Sequence, residues 1–133
     1  MENSFTYFNP NPTVKFNKKT GKPKTWNKGD CVIRAFCGVL NLSWDIVYSE
    51  MCKLGAKYHD MPNSRNIIDK YAKEKGLVKK SLPYYMTLSE FVRDYDGIYL
   101  VNLRSHEACV KGNMIYDCWD CGDCKLKTYY VKE

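Results

Sequence analysis

The chain has 133 residues, of which 44% are hydrophobic and 27% are charged. This length favours a single domain with one buried core, and this composition excludes an intrinsically disordered chain. The longest apolar runs are far shorter than the ~20 residues of a membrane-spanning helix, and the N-terminus lacks the basic start and apolar stretch of a signal peptide. We therefore expect a cytoplasmic protein without a membrane partner.

The balance of charge and the cysteine content narrow the possible functions. The 21 basic residues exceed the 15 acidic ones, which gives a net charge of +6, but only four of the basic residues are Arg. Specific nucleic-acid readers depend on Arg for bidentate contacts, so a nucleic-acid partner is not the first expectation. Seven cysteines in a chain expected to stay inside the cell argue against a disulfide framework and favour metal binding or catalysis.

The chain divides into an arm and a domain. Residues 1–28 are predicted to form an irregular basic arm, because they combine three prolines with six lysines. Residues 29–133 then form a single domain. Its first helix begins after Asp30, a good N-cap residue, and carries an apolar stripe at helical spacing. That stripe comprises Val32, Ala35, Phe36, Val39 and Leu40.

Three further helices are predicted from their capping signals. Ser43 is suited to cap the second helix, and Gly55 is a natural residue to end it. The third helix covers about residues 64–75 and ends before a glycine. Thr87 and Glu90 have the spacing of a capping box and open a short fourth helix.

The last third of the chain changes to a β-strand pattern. Short runs rich in β-branched and aromatic residues, separated by turn signals such as Gly112-Asn113, predict neighbouring antiparallel strands. The predicted strands are Ile98–Leu103, the alternating segment His106–Val110, Met114–Tyr116 and Cys124–Val131. The fold class is therefore α+β, with N-terminal helices packed on a C-terminal antiparallel β-sheet.

The sharpest motif is a cysteine at the start of the first helix, in the sequence Gly29-Asp30-Cys31. A thiol in the first helical turn lies near unpaired backbone N–H groups and at the positive end of the helix dipole. These groups favour a thiolate, and they can also contribute to an oxyanion hole. Cys31 is therefore a candidate nucleophile, although burial for packing is the common alternative for a free cysteine.

A nucleophilic cysteine needs a base and a third group that orients the base. His106 opens a predicted strand and Asp117 ends the next one, so both can face the start of the first helix. The other histidine, His59, follows the second helix and has no evident orienting partner. Cys31, His106 and Asp117 are thus the candidate catalytic triad.

Two sequence blocks resemble papain-like cysteine peptidases, most closely the small variants of bacteriocin-processing peptidases and bacteriophage genomes. The first block, residues 26–35, reads Trp-Asn-Lys-Gly-Asp-Cys-Val-Ile-Arg-Ala and is similar to the start of the family's active-site helix. The second block, residues 105–120, is similar to the family's histidine strand and the strand that follows it. Within the second block, Asp117-Cys118-Trp119 is similar to the Asn-Ser-Trp of papain.

The resemblance implies a papain-like thiol protease, encoded by a phage or mobile element and acting in the cytoplasm of a bacterial host. It makes Cys31 the nucleophile, His106 the general base and acid, and Asp117 the group that orients the imidazole. Asp120, three residues further on, is the alternative third member of the triad. The implied reaction is attack of the thiolate on a peptide or amide carbonyl, which gives an acyl-enzyme. Such a hydrolase takes a protein or peptide substrate and needs no cofactor.

One feature of the family is missing from this chain. The family places a Gln several residues before the cysteine, where its side-chain amide completes the oxyanion hole, and this chain contains no Gln. Asn27 offers a carboxamide four residues before Cys31 and is the candidate replacement. The missing Gln also supports an alternative, a catalytically weak or inactive papain-fold protein that acts by binding, for example as an inhibitor.

A second motif competes with the triad for its histidine. Cys118, Cys121 and Cys124 have the C-x-x-C-x-x-C spacing of zinc ligands. Either Cys109 or His106 can supply the fourth ligand that a closed zinc site needs. A histidine bound to zinc cannot act as a base, so a zinc-binding module is the further alternative to a peptidase. The plainest interpretation of the same residues is three cysteines in a tight turn.

Overall fold

Across residues 4–13, 16–22 and 29–132, which the computed structural model describes, the chain forms four helices and six strands. In chain order these are β1 (Phe5–Tyr7), α1 (Cys31–Leu40), α2 (Trp44–Tyr58), α3 (Arg65–Glu74), β2 (Leu77–Thr87), α4 (Leu88–Asp94), β3 (Ile98–Leu103), β4 (His106–Lys111), β5 (Met114–Asp117) and β6 (Lys125–Lys132). The predicted α+β class is confirmed. No described helix is by itself long and apolar enough to cross a membrane; α1 and α2 together pass that test by length and composition, as a pair bent by 115°.

The described strands form one sheet in the order β1-β5-β4-β3-β6-β2. Neighbouring strands are antiparallel, except that β1 pairs in parallel with β5. The expected antiparallel sheet is therefore a mixed sheet, and the arm predicted to be irregular contributes an edge strand to it. The sequence carries no local signal for this strand, because Phe5 pairs with the distant Ile115 rather than with a sequential neighbour.

Strand β2 lies at the other edge of the sheet, and the sequence pattern does not predict it. Its residues do not alternate between buried and exposed, so the period of two that marks a strand is missing. Its register with β6 shifts between Ser81 and Met86, a stretch that contains Pro83. Proline has no backbone N–H to donate, and it is tolerated there because an edge strand or a bulge does not need that hydrogen bond.

Two of the predicted helix caps, Ser43 and Thr87, are confirmed by hydrogen bonds, and Ser64 caps α3 in the same way. The side chains of Ser43, Ser64 and Thr87 each accept a hydrogen bond from the backbone N–H three residues later. Glu90 completes the predicted capping box, because its carboxylate accepts a hydrogen bond from the Thr87 backbone N–H at 3.0 Å. These local interactions explain why the starts of α2, α3 and α4 can be read from the sequence.

Helix α2 does not end at Gly55, as its glycine suggests, but continues to Tyr58. His59 ends it in the left-handed conformation, with φ of 55°. Gly55 serves close packing instead, since a Cβ atom there would lie 2.7 Å from the Asp60 carbonyl oxygen. The Asp60 N–H donates a hydrogen bond of 2.9 Å to the Gly55 carbonyl and closes this end of the helix.

The sheet separates two hydrophobic cores, because successive residues of a strand face opposite sides. On one side α1, α2 and α3 pack against Leu100 of β3 and Tyr130 of β6. On the other side α4 packs against Tyr99 and Val101 of β3. The candidate nucleophile, at the start of α1, therefore belongs to the layer of three helices on one side of the sheet.

Helix α1 packs directly on β4. The contact is close at Gly38, where a Cβ atom would lie 2.7 Å from the Cys109 Sγ. Cys109 is buried, and its thiol faces α1. This contact sets the distance of α1 from the sheet and hence the position of its first residue, Cys31, relative to β4.

Candidate active site

Cys31 is the first residue of α1 and is half-buried. The residue before it, Asp30, stands at the N-cap position but makes no side-chain capping bond. Its carboxylate instead joins three other segments of the structure. Oδ2 accepts hydrogen bonds from Asn11 Nδ2 and Trp44 Nε1, both at 2.9 Å, and Oδ1 lies 3.4 Å from Arg34 Nε. These bonds tie the N-terminal arm and α2 to the start of α1 and fix Cys31 in place.

His106 is the first residue of β4, and Asp117 is the last residue of β5. The two strands are antiparallel, so the start of one lies beside the end of the other. The turn between them has two central residues with positive φ, Gly112 at 56° and Asn113 at 64°, as the tight type I′ hairpin turn requires. The resulting geometry places His106 Nε2 2.5 Å from Asp117 Oδ2.

The Cys31 thiol lies close enough to the His106 imidazole to raise its pKa. The three residues of the predicted triad therefore meet at one end of the sheet, although they come from α1, β4 and β5. Trp119 covers the imidazole, with ring centroids 5.0 Å apart, and the histidine side chain is 11% exposed. A nucleophile, a base and an orienting carboxylate in contact are the groups that thiol catalysis needs.

The environment of His106 favours its charged form. Burial lowers the pKa of the imidazole, but hydrogen bonds to Asp117, Cys121 and Cys31 and the charge of Asp117 outweigh it and raise the pKa to about 12. His106 is consequently an imidazolium at neutral pH. A neighbouring imidazolium is the usual means by which a protein stabilises a cysteine thiolate.

Arg34 is a buried charged residue beside the candidate site that the sequence pattern did not indicate. It lies on α1 and is only 2% exposed. Its Nη2 is 3.5 Å from Asp117 Oδ1, its Nε is 3.4 Å from Asp30 Oδ1, and its Nη1 donates a hydrogen bond of 3.0 Å to the Cys118 Sγ. Together with the imidazolium of His106, it balances the two buried carboxylates, which makes their burial tolerable.

The three clustered cysteines point to different partners. Cys118 contacts Arg34, and its thiol also lies 3.7 Å from the Phe8 carbonyl oxygen. The Cys121 Sγ lies 3.5 Å from Asp117 Oδ2 and within 4.8 Å of a ring nitrogen of His106. Burial raises the pKa of both thiols to about 11. Cys124 is half-buried and packs at the edge of the core on the α4 side.

These positions determine which side chains are close enough together to bind one metal ion. In the described part of the chain, one group of three possible ligands has its donor atoms within 4.8 Å of one another, and it comprises His106, Asp117 and Cys121. The predicted set of Cys118, Cys121 and Cys124 is not such a group. Only the middle cysteine of the motif reaches the imidazole.

The remaining predicted residues fall outside this cluster. Asp120 accepts a hydrogen bond of 3.0 Å from the Gly122 N–H and stabilises the turn after β5, whereas Asp117 contacts His106. Asn27, the oxyanion candidate, lies outside the described residues. His59 is exposed at the end of α2, where it ends the helix.

A third buried carboxylate, Glu107, lies directly after His106 in β4. It is 4% exposed, and its Oε1 accepts a hydrogen bond of 2.7 Å from Arg65 Nη2, while its Oε2 is buried without a hydrogen-bond partner among the described residues. Burial raises the pKa of Glu107 to about 7, although Arg65 opposes the rise. Arg65 also donates to Asn102 and Tyr130, so this cluster joins α3 to the sheet.

A cavity of about 480 Å³ opens beside the start of α1. Gly29 and Asp30, the two residues before the candidate nucleophile, form part of its wall. The rest of the wall is largely aromatic and apolar and includes Trp44 and Tyr48, whose rings are stacked 4.9 Å apart. An apolar cavity next to a reactive group is a typical site for a substrate side chain.

No protein-family model, curated protein or solved structure matches this chain. The resemblance to papain-like peptidases therefore stays a prediction from the sequence. In the site itself, His106 is bonded to Asp117 and lies close to the Cys31 thiol.

Proposed function

We propose that the protein is a papain-like thiol hydrolase that cleaves a peptide or amide bond through Cys31, His106 and Asp117. One observation carries this proposal: the His106 imidazole is bonded through Nε2 to a buried carboxylate at 2.5 Å and lies close enough to the thiol at the start of α1 for that thiol to raise its pKa. A cluster of polar residues that only stabilises the fold has no need to combine a nucleophile, a base and an orienting group in this order. Catalysis by acyl transfer needs all three.

The reaction uses the proton that His106 holds. The Cys31 thiolate attacks the carbonyl carbon of the substrate, and its sulfur–carbon bond forms as the carbonyl oxygen takes up the negative charge. The imidazolium then gives its proton to the leaving amine, and the carbon–nitrogen bond breaks to leave an acyl-enzyme on Cys31. Water attacks the thioester while His106 takes a proton from it, which releases the acid and restores the starting state.

The start of α1 supplies donors for the negative charge on oxygen. The backbone N–H groups in the first turn have no partner within the helix and lie next to the attacking sulfur. In the family the remaining donor is a Gln side chain, and in this chain Asn27 is our candidate for that role. Removing one oxyanion donor from a known protease costs about 2.7–4 kcal/mol of barrier, so a weaker donor here predicts a slower enzyme.

The cavity beside α1 supports a peptide substrate with an apolar or aromatic side chain. Trp44 and Tyr48 give it a stacked aromatic wall, and Ile33 adds an aliphatic surface. Its wall includes Gly29 and Asp30, the two residues before the proposed nucleophile. Burial of a large apolar side chain there contributes about 1.5–3 kcal/mol to binding.

Acylation by an activated ester, p-nitrophenyl acetate, tests the proposal without knowledge of the natural substrate. We expect a burst of nitrophenolate followed by slower turnover, with the acetyl group trapped in acid and located on Cys31 by peptide mass spectrometry. Cys31→Ala abolishes the burst. His106→Ala slows acylation by about 100-fold or more, which is the usual contribution of a general base, whereas the matched variant His59→Ala reacts like the wild type.

Two results separate the proposal from its competitors. An acetyl group spread over lysines and Cys52, a half-buried cysteine of α2, with Cys31 unmodified would contradict a nucleophilic role for Cys31. An acetyl group that forms on Cys31 but is not released would favour the second candidate, a papain-fold protein that binds its partner without turning it over. The absence of Gln from the chain is the observation that keeps this candidate open.

A further inference from the structure

The catalytic pair His106–Asp117 has a third neighbour that acyl transfer does not use. The Cys121 Sγ lies 3.5 Å from Asp117 Oδ2 and within 4.8 Å of a ring nitrogen of His106. Cys121 is 1% exposed and Asp117 is 3% exposed, so the thiol is held against the pair in a nearly dry environment. Sulfur, nitrogen and oxygen donors thus converge, with all three atoms within 4.8 Å of one another.

The spacing of these donors suits a zinc ion. Zinc binds sulfur at about 2.3 Å and nitrogen or oxygen at about 2.1 Å, so tetrahedral coordination separates a sulfur and an oxygen ligand by about 3.6 Å. The Cys121 Sγ and Asp117 Oδ2 are already 3.5 Å apart. The Nε2–Oδ2 distance of 2.5 Å has to open to about 3.3 Å, which requires the imidazole to move by less than 1 Å.

We propose that Zn²⁺ binds to His106, Asp117 and Cys121 and thereby blocks the catalytic histidine. The block rests on the proposed function, whereas the metal site itself does not. One proton leaves the His106 imidazolium and one leaves the Cys121 thiol as the ion enters, so the net charge of the buried group stays the same. Three protein ligands leave the fourth position of the zinc open. A zinc-bound imidazole has no lone pair with which to accept a proton.

The neighbouring cysteines do not share this role. The Cys118 Sγ accepts a hydrogen bond from Arg34, whose positive charge repels a metal cation at that sulfur. Cys124 lies on the same loop but packs against the edge of the α4 core. The C-x-x-C-x-x-C motif therefore contributes one ligand to the site rather than three, and His106 and Asp117 supply the others.

Cobalt(II) is the probe for this site because its thiolate complexes absorb in the near ultraviolet. We expect the purified wild-type protein to bind one Co²⁺ per chain, with a charge-transfer band of the intensity of a single thiolate ligand, and Zn²⁺ to displace it. Cys121→Ser weakens binding by more than about tenfold, because even the loss of a residue that only supports a metal ligand costs about 10–100-fold. Cys124→Ser, the matched control three residues along the same loop, changes the affinity by less than about twofold.

A band with the intensity of three thiolates, or equal losses for Cys121→Ser and Cys124→Ser, would overturn the proposal in favour of the cysteine motif as the site. Absence of one-to-one Co²⁺ binding by the wild type would overturn it outright. The band intensity is measured on the wild-type protein, so the outcome does not depend on whether a variant folds.

A second measurement links the site to catalysis. The rate of Cys31 alkylation is compared with Zn²⁺ and with EDTA within each protein, and we expect zinc to slow it in the wild type but not in Cys121→Ser. If Cys31 is unreactive even in EDTA, the proposed function fails while the metal site can still be measured. If Cys31 is reactive in EDTA and unaffected by zinc, the zinc block alone fails.

Discussion

Asp117 is the residue on which the geometry of the site depends. Its Oδ2 holds His106, while its Oδ1 accepts a hydrogen bond of 2.7 Å from the Cys118 N–H and faces Arg34. Each of these donors stabilises the ionised carboxylate and restricts its orientation. The hydrogen bond to Asp117 and the charge of its carboxylate both raise the pKa of the His106 imidazole.

Glu107 gives a prediction for a single residue. Because its pKa is raised in the folded protein, the free energy of unfolding depends on pH. A carboxyl whose pKa rises from 4.5 to about 7 on folding holds its proton more tightly in the folded state. Its contribution to stability is therefore complete below about pH 4.5 and is lost as the pH rises to about 7. We expect Glu107→Gln to remove this loss, because the amide keeps an acceptor for Arg65 without a charge.

Urea unfolding at several pH values between about 4.5 and 7.5 measures the effect as the difference between wild type and variant. The free energy of unfolding of the wild type should fall relative to that of Glu107→Gln as the pH rises. Glu74→Gln, at an exposed position of α3, is the control and should follow the wild type. Parallel curves for all three proteins would show that burial does not disfavour the charge of Glu107.

Helix α1 and strand β4 form the element pair that positions the nucleophile. Their close contact depends on Gly38, where a Cβ atom would lie 2.7 Å from the Cys109 Sγ and 3.0 Å from its Cβ. Gly38→Ala therefore pushes the helix away from the strand and moves Cys31 relative to His106. Overpacking costs about 1–3 kcal/mol, against about 1 kcal/mol gained from the better helix propensity of alanine.

Gly38→Ala should thus lower the free energy of unfolding by up to about 2 kcal/mol and slow Cys31 alkylation. The double variant Gly38→Ala/Cys109→Ala removes the nearest sulfur and should recover part of both losses, as contacting residues are expected to couple. Denaturant unfolding and alkylation kinetics measure the two effects. If the effects of the two substitutions on the free energy of unfolding and on the alkylation rate simply add, this contact does not set the position of α1.

At the scale of the whole molecule, the sequence was informative where a signal is local. Ser43, Ser64 and Thr87 identify their helices because a cap bonds to residues three positions away. Strands β3 to β6 were predicted from alternation and turn residues. Strand β1 was missed because its partner is β5, at the far end of the chain, and β2 was missed because an exposed edge strand does not alternate.

The residues of the candidate site divide in the same way, into those with a local sequence signal and those without one. Cys31, His106 and Asp117 could be predicted because each stands at the start or end of an element and has a recognisable chemical type. Arg34 reaches Asp117 only through the tertiary structure, and its position in the sequence carries no sign of this contact. The cysteine spacing marked Cys121 as a candidate metal ligand but did not show that it lies against Asp117. A charged residue among the apolar positions of α1 was the one available signal for Arg34.

The most direct test of the central claim is the rate at which iodoacetamide alkylates each cysteine between about pH 4 and 9. The reaction is run in the presence of EDTA, and the rate at each cysteine is measured by mass spectrometry. The thiolate–imidazolium pair predicts that at about pH 6 Cys31 reacts at least about tenfold faster than Cys52, and that His106→Ala removes the difference while His59→Ala does not. Cys31 reacting no faster than Cys52, or an advantage that persists in His106→Ala, would contradict it.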